Sequence, residues 1–191
     1  PAGAAAVRTA QFLIPQPPRP PVTAAPFADR SIWLLASRRD EEALEGIVRD
    51  LAARFGTPVF HPHLTLAGDI AGGGGAPAGF AALAGPIGPV VEPVAAIDTG
   101  PAYYRSFYAR FAVTEALAAL RTRAHAAVGM AEPDPFLPHV SLAYGVPDGP
   151  DREAARRLIA ERLAGRAVSF DRIAWVASSQ AIPIADWTVL A

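Results

Sequence analysis

The chain has 191 residues, 51% of them hydrophobic and 18% charged, with a formal net charge of −1. That composition suits one folded domain with a sizeable core, or two tightly packed lobes, and gives no overall attraction to the backbone of RNA or DNA. Cysteine is absent, which excludes disulfides, thiolate metal sites and cysteine nucleophiles, and all 17 cations are arginine, which removes lysine as a catalyst.

Residues 1 to 14 lack a basic start followed by a long apolar region, so a signal peptide is not expected. The QPPRPPVTAAP that follows is proline-rich and extended in character, and residues 1 to 28 are set aside as a tail or linker, leaving residues 29 to 191 as the folded domain. No run approaches the roughly 18 apolar residues of a membrane span, which makes the cytoplasm the expected location.

From residue 31 strand and helix patterns alternate. SIWLLAS (31 to 37) is a short apolar strand. Residues 40 to 56 form a helix with Asp40 as its cap, Leu44, Ile47, Val48, Leu51 and Phe55 on one face, and Gly56 at its end. FHPHLTLAGD (60 to 69) is the next strand. Residues 68 to 79 hold four consecutive glycines but no Lys-Ser/Thr pair, so they predict a flexible loop and no phosphate loop. Two strands, 90 to 98 and 102 to 113, flank a TGP turn. A second long helix, 114 to 130, has Thr114 as its cap. FLPHVSLAYG (136 to 145) is a strand, 151 to 165 a third helix, and 167 to 179 and 186 to 191 closing strands.

FHPHLTLAGD and FLPHVSLAYG align without a gap as F-x-P-H-apolar-[S/T]-L-A, with histidines 63 and 139 lying 76 residues apart. Such a repeat implies two half-domains that share a cleft. Period two in a strand puts His63 beside Thr65 on one face and His139 beside Ser141 on the other copy, with the leucines and valine packed behind. Two imidazoles and two hydroxyls suit phosphodiester hydrolysis, which needs a base for water, an acid for the departing oxygen and donors for the phosphoryl oxygens. His125, on a helix without this frame, has a structural role. His61 gives an H-x-H spacing that Asp69 could extend, but the second copy has Leu137 in its place and no zinc ligand set is completed, so no metal site is expected.

The paired H-L-T-L and H-V-S-L signatures resemble those of the two-histidine phosphoesterase superfamily. Together with SIWLLA, the DTG turn and the aromatic YYRSFYARF, they look like its cyclic phosphodiesterase branch of plants and yeast, over about residues 30 to 191. The resemblance implies a bilobal α/β (α+β) fold with a pseudo-twofold axis, two antiparallel sheets around a central cleft and outer helices. It implies catalytic His63, Thr65, His139 and Ser141, substrate contacts from Tyr144, Trp33 and Tyr104, and no cofactor. The implied substrate is ADP-ribose 1″,2″-cyclic phosphate or a nucleoside 2′,3′-cyclic phosphate, opened to a monoester by a monomer. RNA ends carrying a cyclic phosphate or a 2′-5′ linkage are the alternative substrate, and a catalytically idle nucleotide-binding module the alternative of another class. Arg105, where a neutral polar residue is more familiar, reads a phosphate or faces solvent. With Pro138 and Phe136 setting the second strand as in the superfamily, the resemblance implies that His139 activates water and His63 protonates the leaving oxygen.

Overall fold

The computed structural model describes residues 28 to 72, 75 to 83, 88 to 133 and 135 to 191. The proline-rich tail and the middle two glycines of the GGGG run lie outside these residues. No helix among the described residues is long and apolar enough to cross a membrane.

Strand β1 (Ala28–Ala36) leads into helix α1 (Arg38–Phe55), then β2 (Leu64–Ala71), a short helix α2 (Ala78–Leu83) and β3 (Val90–Thr99). The second half repeats the order with β4 (Phe107–Phe111), α3 (Glu115–Ala127), β5 (His139–Ala143), α4 (Pro150–Leu163) and β6 (Ala167–Ala177); the two-residue strand β7 (Thr188–Val189) closes the chain.

Every strand pairing is antiparallel. Within the halves β1 pairs with β2 and β4 with β5. The third strands are exchanged, because β3 pairs with β4 and β6 pairs with β1. Two contacts lie on the approximate twofold axis: β3 with β6, and β2 with β5 through the single pair Leu64 and Val140. The two antiparallel sheets are therefore joined into one closed strand circuit, with β7 appended to β6. The helices obey the same symmetry, α1 packing on β5 and α3 on β2.

Alternation along the strands separates two faces. Ile32, Leu34 and Ala36 of β1, Leu64 and Leu66 of β2, Phe107, Ala109 and Phe111 of β4, and Val140 and Leu142 of β5 join Leu44, Ile47, Leu51, Leu117 and Leu120 of the helices in the main core. Trp33 and Leu35 point the other way and pack with Ala174, Val176 and the later Trp187. Thr65, Tyr108, His139 and Ser141 share that second face by the same parity.

Local chemistry explains the ends. Gly56 takes the left-handed conformation (φ 67°) and its N–H bonds to the carbonyl of Ala52, stopping α1. Thr114 caps α3 by accepting from the N–H of Leu117 at 3.3 Å. Asp40 is not a cap: α1 begins at Arg38, and the Asp40 carboxylate accepts from the backbone N–H of Ser169 at 2.8 Å, tying the helix to β6. The stretch read as a flexible loop from 68 is strand as far as Ala71 and helix from Ala78. The 102 to 113 strand is shorter than expected. Residues Tyr103–Arg105 form a 3₁₀ turn, held where the Ser106 hydroxyl donates to the carbonyl of Ala143 and accepts from the N–H of Val146, each at 3.1 Å. Gly145 permits that docking, since its φ is +66° and a Cβ there would meet the Tyr103 ring at 2.5 Å.

Candidate active site

His63 and His139 occupy equivalent places, each at the threshold of its strand. The Nδ1 of His63 lies 2.7 Å from the carbonyl oxygen of His61, and that of His139 lies 2.8 Å from the carbonyl oxygen of Leu137. A carbonyl only accepts, so Nδ1 carries the proton in both rings and the Nε2 lone pair is free in the neutral form. The proline of each motif, Pro62 and Pro138, is buried between the accepting carbonyl and the histidine. Its fixed φ helps hold that two-residue hook.

Both histidines line one cleft of about 190 Å³, together with Trp33, Thr65, Tyr104, Ser141 and Tyr144. All seven side chains singled out from the sequence thus meet in one place. Tyr104 reaches it from the 3₁₀ turn and not from a strand.

The two hydroxyls are not alike. Thr65 is exposed to the cleft, whereas Ser141 is 6% exposed and donates to the carbonyl of Tyr104 at 3.2 Å. The serine proton is thus already spent on the Tyr104 carbonyl. Burial raises the pKa of the nearby Tyr144 hydroxyl well above the usual phenol value, so it stays neutral.

Trp33, expected to contact a nucleotide, is 3% exposed, and its indole lies flat against His63, with ring centroids 3.5 Å apart and planes 5° from parallel. One ring face is therefore occupied by the histidine itself. The twofold mate of this pair is Tyr108 and His139, edge to face at 5.3 Å, because Trp33 pairs across the strands with Thr65 as Tyr108 does with Ser141. Nothing in the motif spacing picks out Tyr108; only the register does.

Burial depresses both imidazoles. His63 falls to about 3, through burial first and then the charges of His61 and His139, against the support of its backbone hydrogen bond. His139, less buried, is lowered by burial and by the Arg105 guanidinium. At neutral pH the empty cleft holds two neutral imidazoles.

His61 turns away from the cleft. Its ring stands 2.7 Å from a carboxylate oxygen of Glu41 and 3.5 Å from one of Glu45, both on α1, which anchors the carbonyl that holds His63. His125 is 3% exposed within α3, with Nδ1 3.1 Å from the Arg121 carbonyl. Arg121 is itself buried, with its guanidinium 4.5 Å over the Phe136 ring and bonded to the Pro133 carbonyl, so it fixes the loop that delivers His139.

The main element that the sequence did not reveal is Trp187. It lies edge-on to Trp33 at 5.9 Å, to His63 at 6.0 Å and to Tyr144 at 5.9 Å, and runs 25° from parallel to Tyr104 at 6.3 Å. Its Nε1 donates to the carbonyls of Ser179 and Ile182, which pins the turn whose Ser178, Ser179 and Gln180 complete the cleft wall.

No protein-family model matches the chain, and no curated protein matches it. Solved structures do. The crystal structure of TT0787 of Thermus thermophilus is similar with a TM-score of 0.56 and 18% identity, over 85% of this chain and 95% of that one. The crystal structure of E. coli LigT complexed with 3′-AMP is similar with a TM-score of 0.50 and 17% identity, over 87% of this chain and 96% of that one. The chain thus has the fold seen in TT0787 and in LigT. At these identities the likeness is one of fold, and the chemistry rests on the residues of the cleft.

Proposed function

We propose that this chain is a phosphoesterase that opens a small cyclic phosphate, of the nucleoside 2′,3′ or ADP-ribose 1″,2″ type, to a phosphomonoester, with no metal taking part. The observation that carries this reading is the pair of hooked histidines, each with Nδ1 bound to a carbonyl two residues back and a free Nε2 in one shared cleft.

The reaction requires one imidazole with a lone pair and one with a proton. An anionic phosphate raises the pKa of a nearby imidazole, so binding itself recruits the proton that the empty cleft lacks. His139, less buried than His63, is the cheaper of the two to charge. His63, buried under Trp33, stays neutral and takes the proton of the attacking water. The water oxygen bonds to phosphorus, the bond to one ring oxygen breaks, and that oxygen leaves with the proton of His139. This burial argument reverses the assignment that the resemblance implied. Thr65, whose hydroxyl faces the cleft, is the donor to a non-bridging oxygen. Tyr104 and Trp187 offer aromatic surface to the rest of the substrate.

An RNA end bearing the same cyclic phosphate is the second reading, favoured by the likeness to a fold relative whose structure holds 3′-AMP. The deciding experiment is turnover of a panel of cyclic phosphates, ADP-ribose 1″,2″-cyclic phosphate and a cyclic-ended oligonucleotide among them, in the presence of EDTA. Activity that vanishes with the chelator, or no turnover of any member, overturns the reading.

A further inference from the structure

Strand β2 takes five residues from Thr65 to Ile70 where its partner β1 takes three from Trp33 to Arg30, so the ladder is bulged between them. Asp69 lies in that bulge with φ 55°, the one described non-glycine residue with a positive φ. Aspartate tolerates this left-handed conformation better than most residues, and a bulge re-aims the side chains it carries. Here it brings both Gly68 and Asp69 into the wall of the cleft. A Cβ on Gly68 would meet the Thr65 methyl at 3.4 Å and the Ser31 hydroxyl at 3.9 Å, which places the bulge beside those side chains.

The rest of the lining is neutral: Ser31, Thr65, Ser141, Ser178, Ser179 and Gln180 supply hydroxyls and an amide, and both imidazoles are uncharged when the cleft is empty. Among the described residues that line it there is no arginine, and Asp69 is the one carboxylate. Arg105 is exposed and outside this lining, and acts on His139 only through its charge. A carboxylate repels phosphate and accepts hydrogen bonds. Asp69 falls between Ala67 and Ile70, which pair with Ile32 and Arg30, so it lies roughly 7–8 Å along the strand from Thr65, within the span of a nucleoside.

We infer that Asp69 is a specificity-determining residue that selects cyclic phosphates whose far end offers hydroxyl or amine donors and rejects those carrying a second phosphate there. This rests on the proposed reaction and narrows its substrate class to an unphosphorylated nucleoside 2′,3′-cyclic phosphate, against the 5′-phosphorylated nucleotide and against ADP-ribose 1″,2″-cyclic phosphate. The cyclic diester carries one charge, which a protonated imidazole matches. An added 5′-phosphate brings further negative charge toward Asp69, in a wall that no arginine lines among the described residues.

The test compares one nucleoside 2′,3′-cyclic phosphate bearing a 5′-hydroxyl with the same compound bearing a 5′-phosphate, at fixed ionic strength, by titration calorimetry and by turnover. The 5′-hydroxyl compound is expected to bind at least about 5-fold more tightly, the size of a screened repulsion across several ångströms. Asp69→Asn and Asp69→Gly both accept the left-handed backbone. Each is expected to bring the two affinities within about 2-fold, mainly by improving the phosphorylated ligand. Equal or reversed preference in the unaltered protein, or a preference that both variants retain, overturns the inference. Because affinity is read apart from turnover, binding with the expected preference but without hydrolysis supports the role of Asp69 while overturning the proposed reaction.

Discussion

The Trp33 indole and the His63 imidazole form a parallel stack, 3.5 Å between centroids, inside a wall closed by the edge of Trp187. The stack removes water from one face of the histidine and restricts the ring to the orientation set by its Nδ1 hydrogen bond. Trp33→Ala is expected to cost about 3–5 kcal/mol of stability, as large-to-small changes in buried aromatics do. Trp33→Phe keeps a flat partner and is expected to retain most of the turnover that Trp33→Ala loses. Denaturant melts and kcat for the two variants check this; equal kcat in both would mean that the stack does not orient His63.

If the two imidazoles act as base and acid, neither is dispensable. His63→Ala and His139→Ala are each expected to lower turnover of a cyclic phosphate by about 10²- to 10⁴-fold while the chain still folds. His125→Ala, buried in α3 away from the cleft, is expected to lower the melting temperature and leave kcat nearly unchanged. Steady-state rates with circular dichroism as the folding control test all three.

The division of labour is tested with leaving groups. A substrate whose departing oxygen is strongly acidic needs no proton donor, so it rescues the variant that has lost the acid. Rescue of His139→Ala well beyond His63→Ala is the expected result. The opposite pattern restores the assignment that the resemblance implied.

The depressed histidine also makes stability depend on pH. Burial pushes the folded His63 down to about 3, from the 6.5 ordinary for histidine that the unfolded chain keeps. Above 6.5 neither state holds the proton and the stability is fully present. Between 6.5 and 3 the unfolded chain binds a proton that the folded chain refuses, so stability falls with pH at up to about 1.4 kcal/mol per unit. His63→Gln is expected to show a shallower decline over that window, measured by urea unfolding at a series of pH values. Identical slopes would place the native pKa near its ordinary value.

The unequal hydroxyls predict unequal variants. Thr65→Val removes an exposed donor and is expected to lower kcat/KM by about 10-fold or more, the scale of a hydrogen bond to a charged group. Ser141→Ala removes the hydrogen bond to the Tyr104 carbonyl, and its main expected cost is stability, from the acceptor left unpaired. Kinetics alongside thermal melts distinguish a lost substrate contact from a lost internal one.

The histidine strands were legible because their information is local. Period two fixes which face His63, Thr65, His139 and Ser141 share, and the repeated frame shows that two such faces belong together. Gly56 and Thr114 ended and began helices for equally local reasons. What stayed hidden depends on distant partners. Asp40 looks like a cap until β6 comes within reach of its carboxylate. Residues 102 to 106 have strand composition, yet Ser106 finds acceptor and donor 37 and 40 residues away and the chain turns instead. Trp187 lies in the stretch read as a strand from 186 to 191, of which only Thr188–Val189 is strand, and its place against Trp33 is set by hydrogen bonds to a turn. The Gly68–Asp69 bulge is visible only as unequal residue counts on paired strands.

The exchange of third strands governs how the protein can be made. β1 is synthesised early but finds its long partner β6 only when residues 167 to 177 have left the ribosome, and β3 waits for β4. Until then the first half carries an unpaired, strongly apolar strand edge, the kind of surface that recruits neighbouring chains. Two copies of either half would satisfy that edge by donating third strands to each other. A gene encoding one half alone would therefore specify a symmetric dimer with two identical histidine strands meeting at its axis.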